Sequence, residues 1–331
     1  MSQGKDSKPK TESTAEKQRD IQKQQDRNDA GKPEQKPGQK DASQAGGRKH
    51  PEPPMPAQHL DKPGREKDMH LKPQYHAPHY KGSGKLEGFA TIVTGGDSGI
   101  GRAVAVLFAR EGADVAIVYL EEHADAEETK QAVEAEGGKC LLIPGDVKDP
   151  AFCQRAIQKT VDAFGKLDVL VNNAAFQEHA DTLDQITDER FDETMRTNIY
   201  GYFYMARAAL PHLREGCSII NTGSVTGIKG HATLLDYSST KGAIHAFTMS
   251  LASNLAKKGV RVNAVAPGPI WTPLNPADQQ ASEITSFGKN TAMGRPGQPE
   301  ELSPAYVYLA SPVCSSYVTG IVLPVMGSPG G

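Results

Sequence analysis

From about residue 86 onward, short apolar runs alternate with segments whose apolar residues recur at helical spacing, and this alternation admits very few folds. The runs fall at 89–94, 115–119, 141–144, 167–171, 217–221, 260–266 and 321–325. Between them, helical patterns are predicted at 99–111, 126–136, 150–164, 188–213, 237–258 and 301–310, the third opened by Pro150. Strands this apolar need cover on both faces, and a strand that returns through a helix pairs in parallel with its predecessor. The prediction is an α/β fold: a doubly wound, parallel, seven-stranded sheet with helices on both faces.

The first part of the chain has a different character. Residues 1–50 hold 12 Lys/Arg and 8 Asp/Glu, no aromatic residue and one large aliphatic, Ile21. Such a stretch buries too little apolar surface to offset an ordering cost of roughly 1–2 kcal/mol per residue, so a disordered polar tail is expected there. Its charge is 12 − 8 = +4 against −3 for the whole chain, which leaves −7 for the remainder. The tail's charges are mixed and not blocked, so no nucleic-acid partner is expected. Residues 51–84 carry seven prolines among Met55, Leu60, Met69, Leu71 and Tyr75, a pattern for an extended arm lying on its own surface or a neighbour's. Residues 85–331 form the folded domain.

The opening residues lack the apolar core of a secretion signal, and no run approaches the ~20 apolar residues of a membrane span, so a cytoplasmic location is expected. Cys140, Cys153, Cys217 and Cys314 are widely spaced and read as reduced thiols; neither they nor the ten histidines show metal-ligand spacing, and no metal is expected.

Thr94-Gly95-Gly96-Asp97-Ser98-Gly99-Ile100-Gly101 joins the first predicted strand to the first helix. Glycines there permit a sharp turn and close approach of backbone to a pyrophosphate, and the helix start offers free N–H groups and a positive dipole end. Tyr237-Ser238-Ser239-Thr240-Lys241 places a phenol and an ammonium at i and i+4 on one helix face. A free phenol titrates near ~10, too high for work at neutral pH, and an adjacent cation brings it down. Ser224 follows the fifth strand, Asn198 lies in the helix before it, and Asn172-Asn173-Ala174-Ala175 follows the fourth; in a parallel sheet these positions gather at the carboxyl edge.

Together with Pro267-Gly268-Pro269-Ile270-Trp271-Thr272, these motifs resemble, in order, those of the short-chain dehydrogenase/reductase family over about residues 85–327. The lead-in Lys81-Gly82-Ser83-Gly84-Lys85-Leu86 is similar to a bacterial subgroup with long N-terminal arms, which includes aldehyde reductases and general-stress oxidoreductases. Two departures stand out: Ala175 where the family has glycine, and Leu323-Pro324-Val325-Met326-Gly327 where it shows V-D-G-G.

The resemblance implies a Rossmann-type NAD(P)-binding domain that interconverts an alcohol and an aldehyde or ketone. Tyr237 would be the acid/base and Ser224 would hold the carbonyl oxygen. Lys241 would lower the Tyr237 pKa and bind the nicotinamide ribose, and Asn198 would hold a relay water. Cofactor contacts are expected from Thr94, Gly95, Ser98, Gly99, Ile100, Gly101, Tyr119, Asp146, Val147, Asn172, Ala174, Tyr237, Lys241, Pro267, Gly268, Ile270 and Thr272. The second strand ends without the ribose-binding aspartate of NAD enzymes, yet Glu121 and Glu122 follow it, which tilts the choice toward NAD over NADP. A non-catalytic nucleotide sensor is the alternative, and the intact four-residue set argues against it. An enoyl reductase would have six residues between Tyr and Lys, where this chain has three. Residues 271–297 read as a substrate lid. Apolar residues around the 188–213 and 237–258 helices, including Tyr200, Phe203, Phe247 and Met249, need cover, which the chain's own arm could give; the resemblance implies a homotetramer through these helices, with the arm reaching over a neighbour.

Overall fold

The computed structural model describes residues 10–30 and 42–328. In chain order it runs α1 (Lys10–Asp29), β1 (Ala90–Thr94), α2 (Gly99–Arg110), β2 (Asp114–Tyr119), α3 (His123–Ala135), β3 (Cys140–Pro144), α4 (Pro150–Phe164) and β4 (Val169–Asn172). There follow α5 (Asp188–Met195), α6 (Gly201–Ala209), β5 (Ser218–Thr222), α7 (Thr226–Lys229), α8 (Leu235–Leu255), β6 (Arg261–Pro267), α9 (Ala281–Ile284), α10 (Pro299–Ala310), α11 (Pro312–Ser315) and β7 (Val322–Val325).

The seven strands form one sheet in the order β3-β2-β1-β4-β5-β6-β7, and every pair is parallel. Alternation along each strand divides the core in two. Val93, Ile117, Val171 and Ile220 face α2, α3 and α10; Ile92, Val118, Leu170 and Ile219 face α4, α6 and α8. Strand order reverses between β1 and β4, so the loops leaving their carboxyl ends part and open a crevice. The helix predicted over 188–213 is interrupted by a π-helical turn, Arg196–Tyr200, that carries Thr197 and Asn198. Such turns gather at functional sites.

The N-terminal part differs from its expectation. Residues 1–9 and 31–41 lie outside the described residues, but α1 is a 20-residue helix packed on the domain. Lys, Gln, Glu and Arg are good helix formers, and no Gly or Pro interrupts the segment. Its buried face is polar: Thr14, Gln18, Gln22, Gln25 and Asp29, beside Ala15. Hydrogen bonds, not apolar burial, hold it.

The arm lies on its own chain's 271–297 loop. Met55, Leu60 and Met69 bury against Trp271, Ala277 and Ile284, and the Trp271 indole donates to Leu71 O at 2.8 Å.

Candidate active site

At the crevice, the glycine-rich loop is held from three sides. Thr94 Oγ1 accepts from the backbone N–H groups of Asn173 (2.9 Å) and Ala174 (3.0 Å), tying β1 to the loop after β4. Gly99 sits at φ +50°, and a side chain at Gly101 would put its Cβ 1.8 Å from Gly95 O, so both positions require glycine. From the arm, Glu66 accepts from Gly99 N–H at 2.7 Å and pairs with buried Arg102 at 2.7 Å. Burial pushes the Glu66 carboxyl up to about 7 against the pull of Arg102.

A cavity of about 1080 Å³ runs along the carboxyl edge. It is lined by Gly95, Ser98, Gly99, Ile100, Tyr119, Asp146, Val147 and Ala174, and further along by Ser224, Tyr237, Lys241, Pro267, Gly268, Ile270 and Thr272, as expected. Four expected residues do not line it. Thr94 spends its hydroxyl on the β4 loop and Gly101 serves close packing. Asn172 is the last residue of β4 and turns inward to Asn221 at 3.0 Å, while its neighbour Asn173 reaches the cavity. Asn198 is fully buried, accepting from Phe176 N–H at 2.8 Å and donating to Phe176 O (2.9 Å) and Thr240 Oγ1 (3.0 Å). Both its amide hydrogens are committed to protein, so in this structure it positions α8 against the 173–176 loop.

At the far end of the cavity the Tyr237 phenol and Ser224 line the same wall, and Ser224 Oγ accepts from Thr226 N–H (3.1 Å) and Thr226 Oγ1 (2.9 Å). Burial raises the phenol well above its ordinary range; Ser224 lowers it, and the Asp278 charge raises it further. Lys241 Nζ donates to Thr222 O at 2.8 Å and lies 5.3 Å from the Tyr237 ring centre. Burial lowers the ammonium to about 7. In this structure the ammonium faces a carbonyl, and desolvation dominates both groups.

Two carboxylates stand near the glycine-rich loop. Asp97 and Glu122 line the cavity; burial, reinforced by repulsion from neighbouring carboxylates, raises them to about 6 and about 8. Glu122 Oε1 has no hydrogen-bond partner among the described residues. An orphaned buried acceptor beside a glycine cradle fits a nucleotide ribose. Asp97 had no role assigned within the glycine motif, whereas Glu122 was one of the two acids after β2 that tilted the expectation toward NAD.

Also on the cavity wall, His179 lies between Asp29 of α1 and Asp278 of the 271–297 loop, each at 2.8 Å. Glu178, His179 and Asp278 present ligand atoms within 4.8 Å of one another, but Lys62 Nζ already supplies a cation 3.3 Å from Glu178. Despite burial, the hydrogen bonds that His179 donates to the two aspartates raise it from 6.5 to about 10. A raised base stabilises the fold fully below its unfolded pKa and loses that contribution as pH climbs through its folded one. The melting-temperature advantage of the wild type over His179→Gln is expected to be largest below pH 6.5 and to shrink toward pH 10. A pH-independent gap between the two melting curves would refute a charged His179.

Residues 95–327 match the family model described as enoyl-(acyl carrier protein) reductase. The chain is 57% identical over 271 residues to the uncharacterized oxidoreductase YhdF of Bacillus subtilis (strain 168), covering 82% of this chain and 93% of that one. It is 50% identical over 267 residues to NADPH-dependent aldehyde reductase 1, chloroplastic, of Arabidopsis thaliana, covering 79% and 93%. Among solved structures, it is similar to a short-chain dehydrogenase from Burkholderia cenocepacia J2315 in complex with NADP, with TM-score 0.69, 32% identity and coverage of 74% and 98%. The parallel sheet, the glycine-rich turn at its switch point and these similarities agree: the chain belongs to the short-chain dehydrogenase/reductase family and is an NAD(P)-dependent oxidoreductase.

Proposed function

We propose that the protein interconverts a small polar aldehyde or ketone and its alcohol, with Tyr237 as acid/base. The observation that carries this reading is the convergence of Ser224, Tyr237 and Lys241 on one end of a cavity whose other end begins at the glycine-rich loop. In reduction, the nicotinamide supplies a hydride to the carbonyl carbon. Ser224 and Tyr237 hold the carbonyl oxygen, and the Tyr237 hydroxyl gives up its proton to that oxygen as charge develops. Lys241, on the same helix face, stabilises the phenolate left behind and passes it a proton. Asn198 keeps α8 in register with the 173–176 loop, so that Tyr237 stays where the carbonyl arrives.

Gln177, His179, Lys229, His231, Thr233 and Asn275 line the substrate end. That polar wall favours a hydroxylated substrate over a long acyl chain, and the three residues between Tyr237 and Lys241 point away from enoyl reduction. Turnover of a panel of aldehydes, ketones, sugars and polyols against NADH, NADPH and their oxidised forms tests the reading. Activity confined to enoyl thioesters, or nucleotide binding with no turnover at all, would overturn it.

For the cofactor, Asp97 and Glu122 favour a ribose 2′-OH over a 2′-phosphate, and NAD is the preferred partner in this account. Above about pH 8, where Glu122 is charged, Glu122→Gln is expected to raise kcat/KM for NADPH relative to NADH. In the wild type that ratio is expected to fall as pH rises through about 8, where Glu122 becomes charged. A ratio that neither the substitution nor pH alters would remove Glu122 from the choice.

The protein is further proposed to be a cytoplasmic homotetramer. No described helix is long and apolar enough to cross a membrane. Tyr200, Phe203 and Met249 stand exposed on α8 and the π turn–α6 rod, beside a groove of about 310 Å³ lined by Tyr204, Ile244 and Phe247. A second copy is the natural cover for such a patch. A monomer by light scattering would contradict this.

A further inference from the structure

The N-terminal helix makes two sets of contacts, one at each end of the crevice. Its first half meets the nucleotide side. Thr14 donates to Asp146 after β3, Gln18 donates to Glu193 of α5 at 3.1 Å, and Arg19 pairs with Glu121 after β2 at 2.9 Å. Its second half meets the lid and the substrate end. Gln22 Nε2 donates to Ala277 O at 2.9 Å while its Oε1 accepts from Lys62 N–H at 2.8 Å. Asp26 accepts from Gln280 at 2.9 Å, and Asp29 holds His179.

Thr14, Gln18 and Asp29 line the same cavity as Gly99 and Tyr237. The helix thus spans the mouth of the crevice. About 1080 Å³ remains beneath it, at the upper end of the range for small-molecule sites, so α1 roofs the site without filling it. The contacts that hold the roof are almost all hydrogen bonds and ion pairs, and those of Thr14, Arg19 and Asp26 are only partly buried, so water can replace them as the helix lifts. A roof built on an apolar stripe would carry a far larger penalty for opening.

We propose that α1 is a removable roof of the nucleotide site: it closes over the bound dinucleotide, ties the lid to the nucleotide-binding loops, and must lift before the dinucleotide leaves. The proposal rests on the reading that the dinucleotide occupies this crevice. It assigns to residues 10–29 a part in cofactor retention. Closure of this kind sequesters reactants, and opening then competes with chemistry for the slow step.

The test is the release rate of NADH from the full-length protein, followed by stopped-flow fluorescence after displacement with excess NAD, in the wild type, in Arg19→Glu and in Thr14→Ala/Gln22→Ala. Arg19 is half-buried and its reversal sets two like charges face to face at Glu121, so this variant keeps the fold while loosening the roof. Melting curves check that both variants remain folded. The expected result is a release rate raised about tenfold or more in each variant, and faster release from the wild type as added salt screens Arg19–Glu121 and Lys17–Glu193. Release unchanged in folded variants overturns the roof. Slower release with tighter binding also overturns it, since α1 would then be a competitor for the site. A wild type that binds neither NADH nor NADPH would bring down the dinucleotide reading itself, whereas failure of the roof alone leaves binding intact.

Discussion

Tyr237→Phe is expected to lower kcat by roughly 10²–10⁴-fold while nucleotide affinity stays nearly unchanged. The substitution deletes one hydroxyl, and in the proposed reaction that hydroxyl, in the cavity with Ser224, gives its proton to the carbonyl oxygen. Burial holds the phenol protonated through the neutral range, so it is loaded as an acid before the substrate arrives. The nucleotide-facing residues, Gly95, Ser98 and Asp146 among them, are untouched. A variant that retained more than about a tenth of wild-type kcat would show that another group supplies the proton. Loss of nucleotide binding along with rate would instead mean that the ring, not the hydroxyl, is what matters.

Lys241→Met is expected to damage rate and nucleotide affinity together, and at the same time to make the protein more stable near neutral pH. The functional loss follows from removing a charged donor. A hydrogen bond to a charged group contributes about 1.5–3 kcal/mol, equivalent to roughly 10–150-fold in a dissociation constant. The gain in stability follows from linkage. Unfolded, the ammonium keeps its proton to about 10.5; folded, burial releases it at about 7. The unfolded chain therefore binds more protons between these values, and stability rises with pH across the window. The desolvation penalty is full below pH 7 and fades toward 10.5, so the stability gap between Lys241→Met and the wild type is expected to narrow over that range. Thermal melts and nucleotide titrations on the same samples check both halves. An inactive variant that is also less stable at pH 6 would contradict the account of a strained, buried ammonium.

Much of this site was legible because its residues are spelled out in short segments at strand ends. Most of the glycine turn, Ser224, Tyr237, Lys241 and all of the Pro267–Thr272 segment but Trp271 line the cavity, at the strand ends where the sequence puts them. What failed was direction within a segment. Asn172 and Asn173 are adjacent, yet the first completes β4 and points into the protein while the second faces the crevice. Residue type cannot separate them; the strand's last residue does.

A second kind of miss concerns partners distant in sequence. A packed helix is recognised by an apolar stripe, and α1 has a stripe of Thr, Gln and Asp whose partners lie more than 100 residues away, at Asp146, Glu193 and Ala277. By composition it reads as a tail. Glu66 is similar: one acid in a proline-rich arm, given a role only by its place beside Gly99 and Arg102. The π-helical turn at Arg196–Tyr200 left no pattern, since its residues continue the helical spacing on either side.

The central claim is hydride transfer from nicotinamide to a carbonyl carbon with Tyr237 as proton donor. Its most direct test is mass spectrometry of the alcohol formed when the reduced cofactor carries deuterium at the transferable position of nicotinamide C4. The account predicts one deuterium on the carbinol carbon of the product, formed by the wild type and nearly abolished in Tyr237→Phe. Product without deuterium, or labelled product formed equally fast by Tyr237→Phe, would contradict it.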